Sequence, residues 1–388
     1  MNFVEKFFEQ NREKVAKGQK LHWLASTFEA FESFSFVSNK TAKARGAHFR
    51  DAIDSKRAII VVVIALIPAL LFGMYNVGWQ HFSKLGDVAA VGFWEMFWYG
   101  FLKVLPMIIV SYVVGLFIEF MFAQIREEEV NEGYLVTGLL IPMIVPPTTP
   151  LWQLVLAVIF GTVIGKEVFG GTGMNFMNPA LVARAFLFFA YPSQMSGDMV
   201  WICDMPDGVT GATPLGEMLA GAALPTASVS VCDMIYGFIP GSVGETSLIA
   251  ILIGACILLF TGIASWRIML SIFCGGAVMG IIFNLIGANE YMQMPFWYHF
   301  LLGGFAFGAV FMATDPVTAA HTNCGKYIYG FLKGIMAVLI RVVNPAYPEG
   351  MMLAILLMNV FAPLIDYYVV NANINRRKKR MVNTTNTK

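Results

Sequence analysis

The amino-acid sequence predicts an all-α polytopic membrane protein with about ten transmembrane helices, arranged as two inverted repeats of five helices each. Three observations predict this fold class. Of the 388 residues, 57% are hydrophobic and only 13% are charged, whereas soluble domains carry roughly 25% charged residues. Apolar segments recur along the chain at lengths suited to a bilayer. A pair of motifs containing Pro, Thr and Asn also occurs once in each half of the chain.

Composition also narrows the classes of function. The net charge of +1 gives no reason to expect nucleic-acid binding. The cysteines lack a Cys-x-x-Cys spacing, so we expect no metal or iron–sulfur site. Charged residues follow the first three positions, so we expect no cleavable signal peptide. Cys203 and Cys232 lie in one polar loop, where a disulfide and two free thiols are both open alternatives.

Residues 1–57 form a basic and aromatic N-terminal segment ahead of the first predicted span. Its aromatic residues recur near helical spacing. They indicate either an amphipathic helix lying at the membrane interface or a cover over a site for a lipophilic ligand. These aromatic residues are Trp23, Phe28, Phe31, Phe34 and Phe36.

The predicted spans fall into two groups, within residues 58–191 and 248–370. Crossing a bilayer takes about 20 apolar residues, or fewer where a span is broken or buried in protein. The predicted spans are Ala58–Tyr75, Phe93–Ala123, Tyr134–Val145, Leu151–Ile164, Pro179–Tyr191, Leu248–Ala264, Ile268–Ile286, Phe296–Met312, Ile328–Val343 and Met351–Val370.

The charge distribution predicts the orientation. The basic N-terminal segment and the basic tail at residues 371–388 belong on the cytoplasmic side by the positive-inside rule. An even number of spans places both ends on that side. The loop at residues 192–247 then lies outside, and it contains acidic residues but no Lys or Arg.

The repeat prediction depends on two motif pairs. Val145–Pro150 is followed, one span later, by Asn178–Ala180, and Thr314–Thr318 is likewise followed by Asn344–Ala346. With an odd number of spans per half, the second half is upside down relative to the first. Such repeats are typical of transporter-like folds, whose sites lie near the repeat interface.

The segment Lys166–Asn178 is a glycine-rich loop that leads into an apolar helix. Asn178 is predicted to be the N-cap and Pro179 the first helical residue. Gly170 and Gly171 allow the backbone to approach a ligand closely, and the positive end of the helix favours an anion or an electron-rich ring. A tight loop with packing glycines is the alternative. The spacing does not fit a dinucleotide fingerprint.

Charged residues within or beside spans must face protein or water, because each costs roughly 2.5–3.5 kcal/mol at the bilayer centre. Glu119 is the most informative, since it lies deep in an apolar run. Lys333 and Asp366 are expected near the interface, where long side chains snorkel. Asp315 caps a helix or lines an ion path. His299 is expected in an interfacial aromatic belt. Besides Asp315, the charged residues within or next to predicted spans are Lys103, Glu119, Arg184, Lys333, Arg341 and Asp366.

The outer loop contains the sequence Asp207-Gly208-Val209-Thr210-Gly211-Ala212-Thr213. Its small neighbours leave the Thr213 hydroxyl sterically open. The motif resembles the site at which a flavin transferase attaches FMN, through a phosphoester, to the final Thr. That site occurs in the family comprising the B subunit of the Na⁺-translocating NADH:quinone oxidoreductase and the D subunit of the related Rnf complex.

The resemblance extends over nearly the whole chain. Lys166–Phe188, Phe305–Val317 and Leu339–Leu353 are similar to the B subunit, as is the basic segment before the first span. The resemblance implies a subunit of a respiratory enzyme in the bacterial inner membrane, a translocase that is not active as an isolated chain. Its electrons pass from FMN through riboflavin to quinone while Na⁺ is exported. The implied partners are the other subunits, the flavin transferase, quinone and Na⁺.

The resemblance also implies roles for individual residues, with no catalytic residue and no metal ligand among them. Thr213 would carry FMN within a motif formed with Asp207, Gly208, Thr210, Gly211 and Ala212. Riboflavin is assigned to Gly170, Gly171, Asn175 and Asn178, and a flavin contact to Arg184. Quinone is assigned to Gly115 and Glu119, although Leu116 stands where the family often has a second Gly. Na⁺ handling is assigned to Glu29, Asp315 and Asp366, and also to Glu119.

Two alternatives remain at this point. One is the Rnf D subunit, which serves electron transfer between ferredoxin and NAD without quinone. The other is a channel or secondary transporter that uses the inverted repeat without redox chemistry.

Overall fold

The computed structural model describes residues 10–11, 28, 55–86, 88, 90–127, 130, 132–206, 208–221, 224, 229–344 and 350–386. Within these ranges all regular secondary structure is helical, which confirms the all-α prediction. Glu29, Asp207 and most of the N-terminal segment lie outside the described residues, as do Pro345 and Ala346 of the second motif pair.

The first half of the chain is built on a long helix pair. α2 packs along α1, and it also contacts α3 and α4, while α4 packs along α5. The bounds are α1 Ser55–Leu85, α2 Phe93–Arg126, α3 Tyr134–Ile144, α4 Leu151–Val163 and α5 Pro179–Ala190.

Where the structure describes the segment between the halves, it contains the short helices α6 Pro214–Leu219 and α7 Val231–Tyr236 and a 3-10 turn at Pro192–Gln194. Cys203 is buried and Cys232 is exposed, and both are free thiols. The disulfide alternative is therefore wrong.

The second half contains α8 Leu248–Phe260, α9 Trp266–Ile286, α10 Glu290–Gln293, α11 Tyr298–Leu301, α12 Phe305–Phe307, α13 Asn323–Val343 and α14 Met351–Asn386. α13 packs along α9 and α14. α8 packs against α1 and so joins the two halves.

In the described part of the chain, five helical segments are long and apolar enough to cross a membrane: Arg57–Leu85, Phe93–Arg126, Leu151–Phe169, Trp266–Ile286 and Met351–Met381. Their outward faces are apolar, as with Trp94 and Phe117 on α2, which are each 68% exposed. α3, α5 and α8 have 11, 12 and 13 residues, or about 16–20 Å at 1.5 Å per residue. These three are too short to cross about 30 Å of hydrocarbon on their own.

The prediction of one continuous span over Phe296–Met312 is wrong. Gly303 and Gly304 have φ angles of +61° and +66°, and this left-handed backbone interrupts a right-handed helix. α11 ends before this pair, while α12 begins after it and continues into a π-helical turn at Gly308–Met312. The residues on either side of the pair, Leu302 and Phe305, are buried, and irregular backbone in a membrane protein is tolerated where protein surrounds it.

Candidate functional site

A cavity of about 310 Å³ lies between the two halves of the chain. Its wall is apolar over most of its area, with contributions from α1, α3 and the C-terminal end of α8. Polar groups come from α3, from the glycine-rich loop and from the turn before α13. These polar lining residues are Thr137, Lys166, Thr172, Asn175, Asn178, Thr314 and Asp315.

The glycine-rich loop forms the predicted helix start. Asn178 is the N-cap of α5, and its Oδ1 accepts a hydrogen bond of 3.0 Å from the amide of Ala180. Pro179 occupies the first helical turn, so the N-cap prediction is confirmed. The loop itself depends on glycine, because Gly170, Gly171 and Gly173 have φ angles of +115°, +90° and +94°. L-residues with a side chain rarely adopt this conformation.

Asn175 braces this loop from within. Its Nδ2 donates to the Met177 carbonyl at 2.9 Å, and its Oδ1 accepts from the Gly173 amide at 3.3 Å. The side chain is buried and lines the cavity. Asn175 and Asn178 thus bring fixed side-chain amides to one wall of the cavity.

Two ion pairs tie the loop to α2. Lys166 Nζ is bonded to the Glu119 carboxylate, and both side chains are buried. One residue later, Glu167 accepts a hydrogen bond of 2.8 Å from Arg126 Nη1. Glu119 and Arg126 lie two turns apart on α2, so consecutive loop residues bind the same face of that helix. The sequence singled out Glu119 but offered no signal for its partner Lys166.

Asp315 lies on another wall of the same cavity. Its Oδ1 accepts from the Val317 amide at 3.0 Å, and its Oδ2 accepts from the Thr318 hydroxyl at 3.1 Å. Asp315 therefore organises its own turn and also faces the cavity, and its assignment to an ion path stays a prediction. Among the described lining residues, Lys166 is the one cation and Asp315 the one anion.

Asp366 and Gly115 are not among the residues that line this cavity. Asp366 accepts hydrogen bonds from the amides of His321 and Thr322, at 2.7 and 3.0 Å, and so helps to cap α13. Gly115 faces Tyr134, whose ring would overlap any Cβ at position 115. Gly115 therefore allows α3 to pack closely on α2, four residues before Glu119.

Thr213 lies at a second, much smaller recess. It is half-buried and caps α6, with its Oγ1 accepting from the Gly216 amide at 3.2 Å. The preceding residues form an extended loop that is held by a 3.0 Å bond from the Gly211 amide to the Asp198 carbonyl. Gly208 has a φ of +84°. Thr210 is exposed and Ala212 is half-buried.

The recess at Thr213 is lined by residues far apart in sequence, including Glu245, Gly303 and Gly304. Arg184 Nη1 donates to Glu245 Oε1 at 2.8 Å, and both residues are buried. Arg184 therefore binds a residue of this recess and is not among the residues that line the first cavity, although Asn178, the N-cap of the same helix, is. Sequence reasoning missed Glu245, which looked like one of several loop carboxylates.

Two other predicted positions are corrected by burial. His299 is 1% exposed, and its carbonyl accepts from Arg341 Nη1 at 2.8 Å, so it does not lie in an interfacial belt. Lys333 is fully buried, with Nζ bonded to the Tyr329 hydroxyl and to Asn359 Oδ1. It does not snorkel to an interface, because polar partners within the protein satisfy it.

The lining fits a mainly apolar small molecule that has a polar edge. Cavities of 300–1,000 Å³ with a few fixed polar groups are typical of small-molecule and cofactor sites. Here Lys166, Asn175 and Asn178 supply the polar edge, and aliphatic residues such as Val62 and Leu140 supply the apolar faces. In the described part of the chain, no group of three or more His, Cys, Asp or Glu residues is placed to hold a metal ion.

Comparison with known proteins gives matches over almost the full length. A family model described as the NQR2, RnfD, RnfE family matches residues 42–375. The chain is 50% identical to the B subunit of the Na(+)-translocating NADH-quinone reductase of Chromohalobacter salexigens, with 94% of this chain and 93% of the relative covered. For the corresponding B subunits of Stutzerimonas stutzeri and of Neisseria meningitidis serogroup B, identity is 46% and 47%, with at least 94% of each chain covered. These matches confirm the resemblance seen in the sequence.

Proposed function

Because the chain belongs to the NQR2, RnfD, RnfE family, we propose that it is a membrane subunit of a Na⁺-translocating NADH-quinone reductase. The observation that carries this proposal is the near full-length similarity to proteins named as the B subunit of that enzyme. The apolar helices, five of which within the described residues are long enough to cross a membrane, support a multi-pass location in the bacterial inner membrane.

Thr213 is the proposed attachment point for FMN. Its hydroxyl is half-buried at the edge of a recess, and its small neighbours Gly211 and Ala212 leave it accessible to a transferase. The Thr210 hydroxyl lies in the same loop and serves as an internal comparison. Asp207, Gly208, Thr210, Gly211 and Ala212 would form the recognition motif.

The cavity between the halves is the proposed riboflavin site. Asn175 and Asn178 present amides to the occupant, and the N-terminal end of α5 adds a positive dipole. Gly170 and Gly171 shape the loop that holds them. When bound, flavins supply the electron chemistry, while the protein places them and tunes their environment.

α5 links the two proposed flavin sites. Its N-cap, Asn178, lines the cavity, and Arg184 reaches the recess at Thr213 through Glu245. Six residues of helix separate Asn178 from Arg184, or about 9 Å along the axis. A rigid helix whose N-terminal end lies at one site and whose middle is tied to the other supports a fixed relation between the two flavins. Arg184 is thus proposed to support the FMN site.

Quinone is proposed to bind beside α2 near Gly115 and Glu119. Na⁺ handling is proposed for Asp315 and Asp366, together with Glu29. The assembled enzyme would also require the other subunits and the flavin transferase, and this chain alone would not oxidise NADH.

We also propose cytoplasmic termini, with the Thr213 loop on the outer side, because the loop carries acidic residues but no Lys or Arg.

The two-repeat architecture is part of the same proposal. In the first half, α2 packs on α4 and α4 on α5, while in the second half α9 packs on α13 and α13 on α14. A short helix and a turn containing proline precede both α4 and α13. The same order of packing in both halves supports two repeats of five, divided at residues 192–247, with the shared cavity at their interface.

The test is covalent flavin on the denatured protein. Protein from cells that contain the transferase is separated on a denaturing gel and viewed under ultraviolet light. We expect a fluorescent band that is lost in Thr213→Ala and kept in Thr210→Ala. A dark wild-type band would contradict the flavin assignment, and loss only in Thr210→Ala would move it to the other threonine. Intact mass of the peptide containing Thr213 identifies the added group.

The Rnf D subunit is the second candidate, because the family description covers it. Quinone reduction by the purified complex, with its components identified by mass spectrometry, separates the two candidates. A complex that reduces NAD with ferredoxin and leaves quinone untouched would favour the second.

A further inference from the structure

Lys166 differs from the other polar residues of the cavity wall because it carries a charge that is paired behind the wall. Its side chain lines the cavity and at the same time binds the carboxylate of Glu119 on α2. Both side chains are about 5% exposed. A buried charge has few water dipoles to screen it, so its field reaches neighbouring groups with little loss.

The charges around this position are ordered. Lys166 faces the cavity, Glu119 lies behind it on α2, and Arg126 with Glu167 forms a second pair at the next position of the loop. The Lys166 ammonium is thus held between the cavity and a buried carboxylate. Its effect on an occupant depends on how far Glu119 compensates it.

We propose that Lys166 is the positioning residue that stabilises negative charge on the occupant of the cavity, and that Glu119 limits this stabilisation. The proposal rests on the proposed function, because it takes the occupant to be a flavin. Reduction increases the electron density of the flavin ring, and a nearby cation favours that form over the oxidised one. Lys166 therefore raises the midpoint potential of the bound flavin, and Glu119 lowers it.

The experiment uses the full-length chain in a Thr213→Ala background, so that flavin in the cavity is measured without covalent FMN. The purified chain is loaded with riboflavin, and its midpoint potential is determined by spectroscopic redox titration. Lys166→Met removes the cation while keeping most of the aliphatic volume. Glu119→Gln removes the carboxylate charge and keeps a polar group of similar size.

We expect potential shifts of opposite sign. Lys166→Met lowers the midpoint potential, and Glu119→Gln raises it, because the remaining Lys166 is then uncompensated. Lys166→Arg keeps the wild-type potential, and the double variant Lys166→Met with Glu119→Gln lies between the single variants. A purely structural role for the pair predicts no such difference in sign, since either change breaks the same contact.

Lys103→Met is the matched control, because it also removes an ion-paired lysine, but one bound to Asp204 outside the cavity. It should leave the potential unchanged. An unchanged potential in Lys166→Met, or shifts of the same sign in both single variants, would overturn the proposal. If Lys166→Met loses riboflavin and Lys166→Arg keeps it, the result supports a charge contact between Lys166 and the flavin. Loss of riboflavin from both variants would overturn the proposal. Riboflavin binding to the protein with wild-type Lys166 and Glu119 is measured before any variant of these residues. If that protein binds no riboflavin, the proposed function of the cavity itself fails.

Discussion

Arg184 Nη1 donates a hydrogen bond of 2.8 Å to Glu245 Oε1, and this ion pair joins α5 to the segment before α8. Both residues are buried, with Arg184 only 1% exposed. Glu245 also lines the recess at Thr213. The pair therefore connects the middle of α5 to the recess beside Thr213.

Removing one partner of this pair should destabilise the protein strongly. Breaking a buried ion pair leaves the other charge uncompensated and typically costs about 3–5 kcal/mol. We expect Arg184→Met to lower the thermal unfolding midpoint of the purified chain markedly. The double variant Arg184→Met with Glu245→Leu should recover part of that loss, because no unpaired charge remains.

The exposed pair of Lys103 and Asp204 provides the comparison, since its side chains are 39% and 60% exposed. Exposed pairs contribute about 0–1 kcal/mol, so Lys103→Met should change the midpoint little. If Arg184→Met lowers the thermal unfolding midpoint as little as Lys103→Met does, the buried pair does not stabilise the protein.

A methyl group at Gly304 should disturb the same recess. Gly304 has a φ of +66°, and an added Cβ would lie 2.7 Å from Glu245 Cδ. A residue with a side chain pays about 1–2 kcal/mol for left-handed backbone, and overpacking adds typically 1–3 kcal/mol. Gly262→Ala is the control, because its φ is +72° but an added Cβ meets nothing within 4 Å. In chemical or thermal unfolding, Gly304→Ala should lose more stability than Gly262→Ala. Equal losses of stability in the two variants would contradict the packing argument.

The two roles of Thr213 can be separated by substitution. Thr213 caps α6, and Asn is also a good N-cap, whereas Ala costs about 1 kcal/mol at such a position. We expect both Thr213→Asn and Thr213→Ala to lose covalent flavin, because neither has a hydroxyl. Thr213→Asn should keep the protease resistance of residues 208–221, while Thr213→Ala should weaken it. Covalent flavin on Thr213→Asn would show that another residue is the acceptor.

The loop at Asp204 should loosen at acid pH. Asp204 Oδ2 accepts a 2.8 Å bond from the Tyr99 hydroxyl and lies 2.7 Å from Lys103 Nζ. The Lys103 bond, followed by the Tyr99 bond, lowers the pKa of the Asp204 carboxyl below its usual value of 3.8. A lowered pKa means that the stabilisation is complete above that usual value and is lost as pH falls through the folded pKa.

Hydrogen exchange of residues 196–206 at several pH values tests this anchor. Wild-type protection should hold at neutral pH and fall below about pH 4, near the unperturbed pKa of Asp. In Asp204→Asn, residues 196–206 should exchange faster at neutral pH, and their protection should show no further fall at acid pH. An identical acid step in the variant would assign it to another group.

Cys203 and Cys232 should differ in reactivity towards a maleimide. Burial raises the pKa of the Cys203 thiol to about 11, so little thiolate forms near neutral pH. Cys232 is exposed. We expect rapid labelling of Cys232 at neutral pH and slow labelling of Cys203 that increases with pH, measured by peptide mass spectrometry. Equal rates would contradict the buried position of Cys203. An impermeant reagent added to intact cells after outer-membrane permeabilisation also tests the outward placement of the loop.

Local patterns in the sequence were enough to predict much of the fold. Nearly every predicted span corresponds to one observed helix, with at least one end within a few residues of the observed end. Long apolar runs bounded by Gly, Pro and Asn specify helices without reference to the rest of the chain. Phe296–Met312 is the exception. Its apolar composition indicates a helix, but the pair Gly303–Gly304 adopts left-handed backbone where Arg341 and Glu245 pack against it.

Pairing between distant side chains was decided only by tertiary structure. The sequence alone marked Glu119 as costly in a membrane, predicted Asn178 as an N-cap and singled out Thr213 as an open hydroxyl. It carried no signal that Lys166 binds Glu119, that Glu245 binds Arg184, or that Lys333 is buried against Asn359. Helix periodicity depends on neighbours three or four residues apart, whereas these contacts join residues 47 and 61 positions apart in two cases. Burial forces each buried charge to find a partner, and which partner it finds depends on how the helices pack.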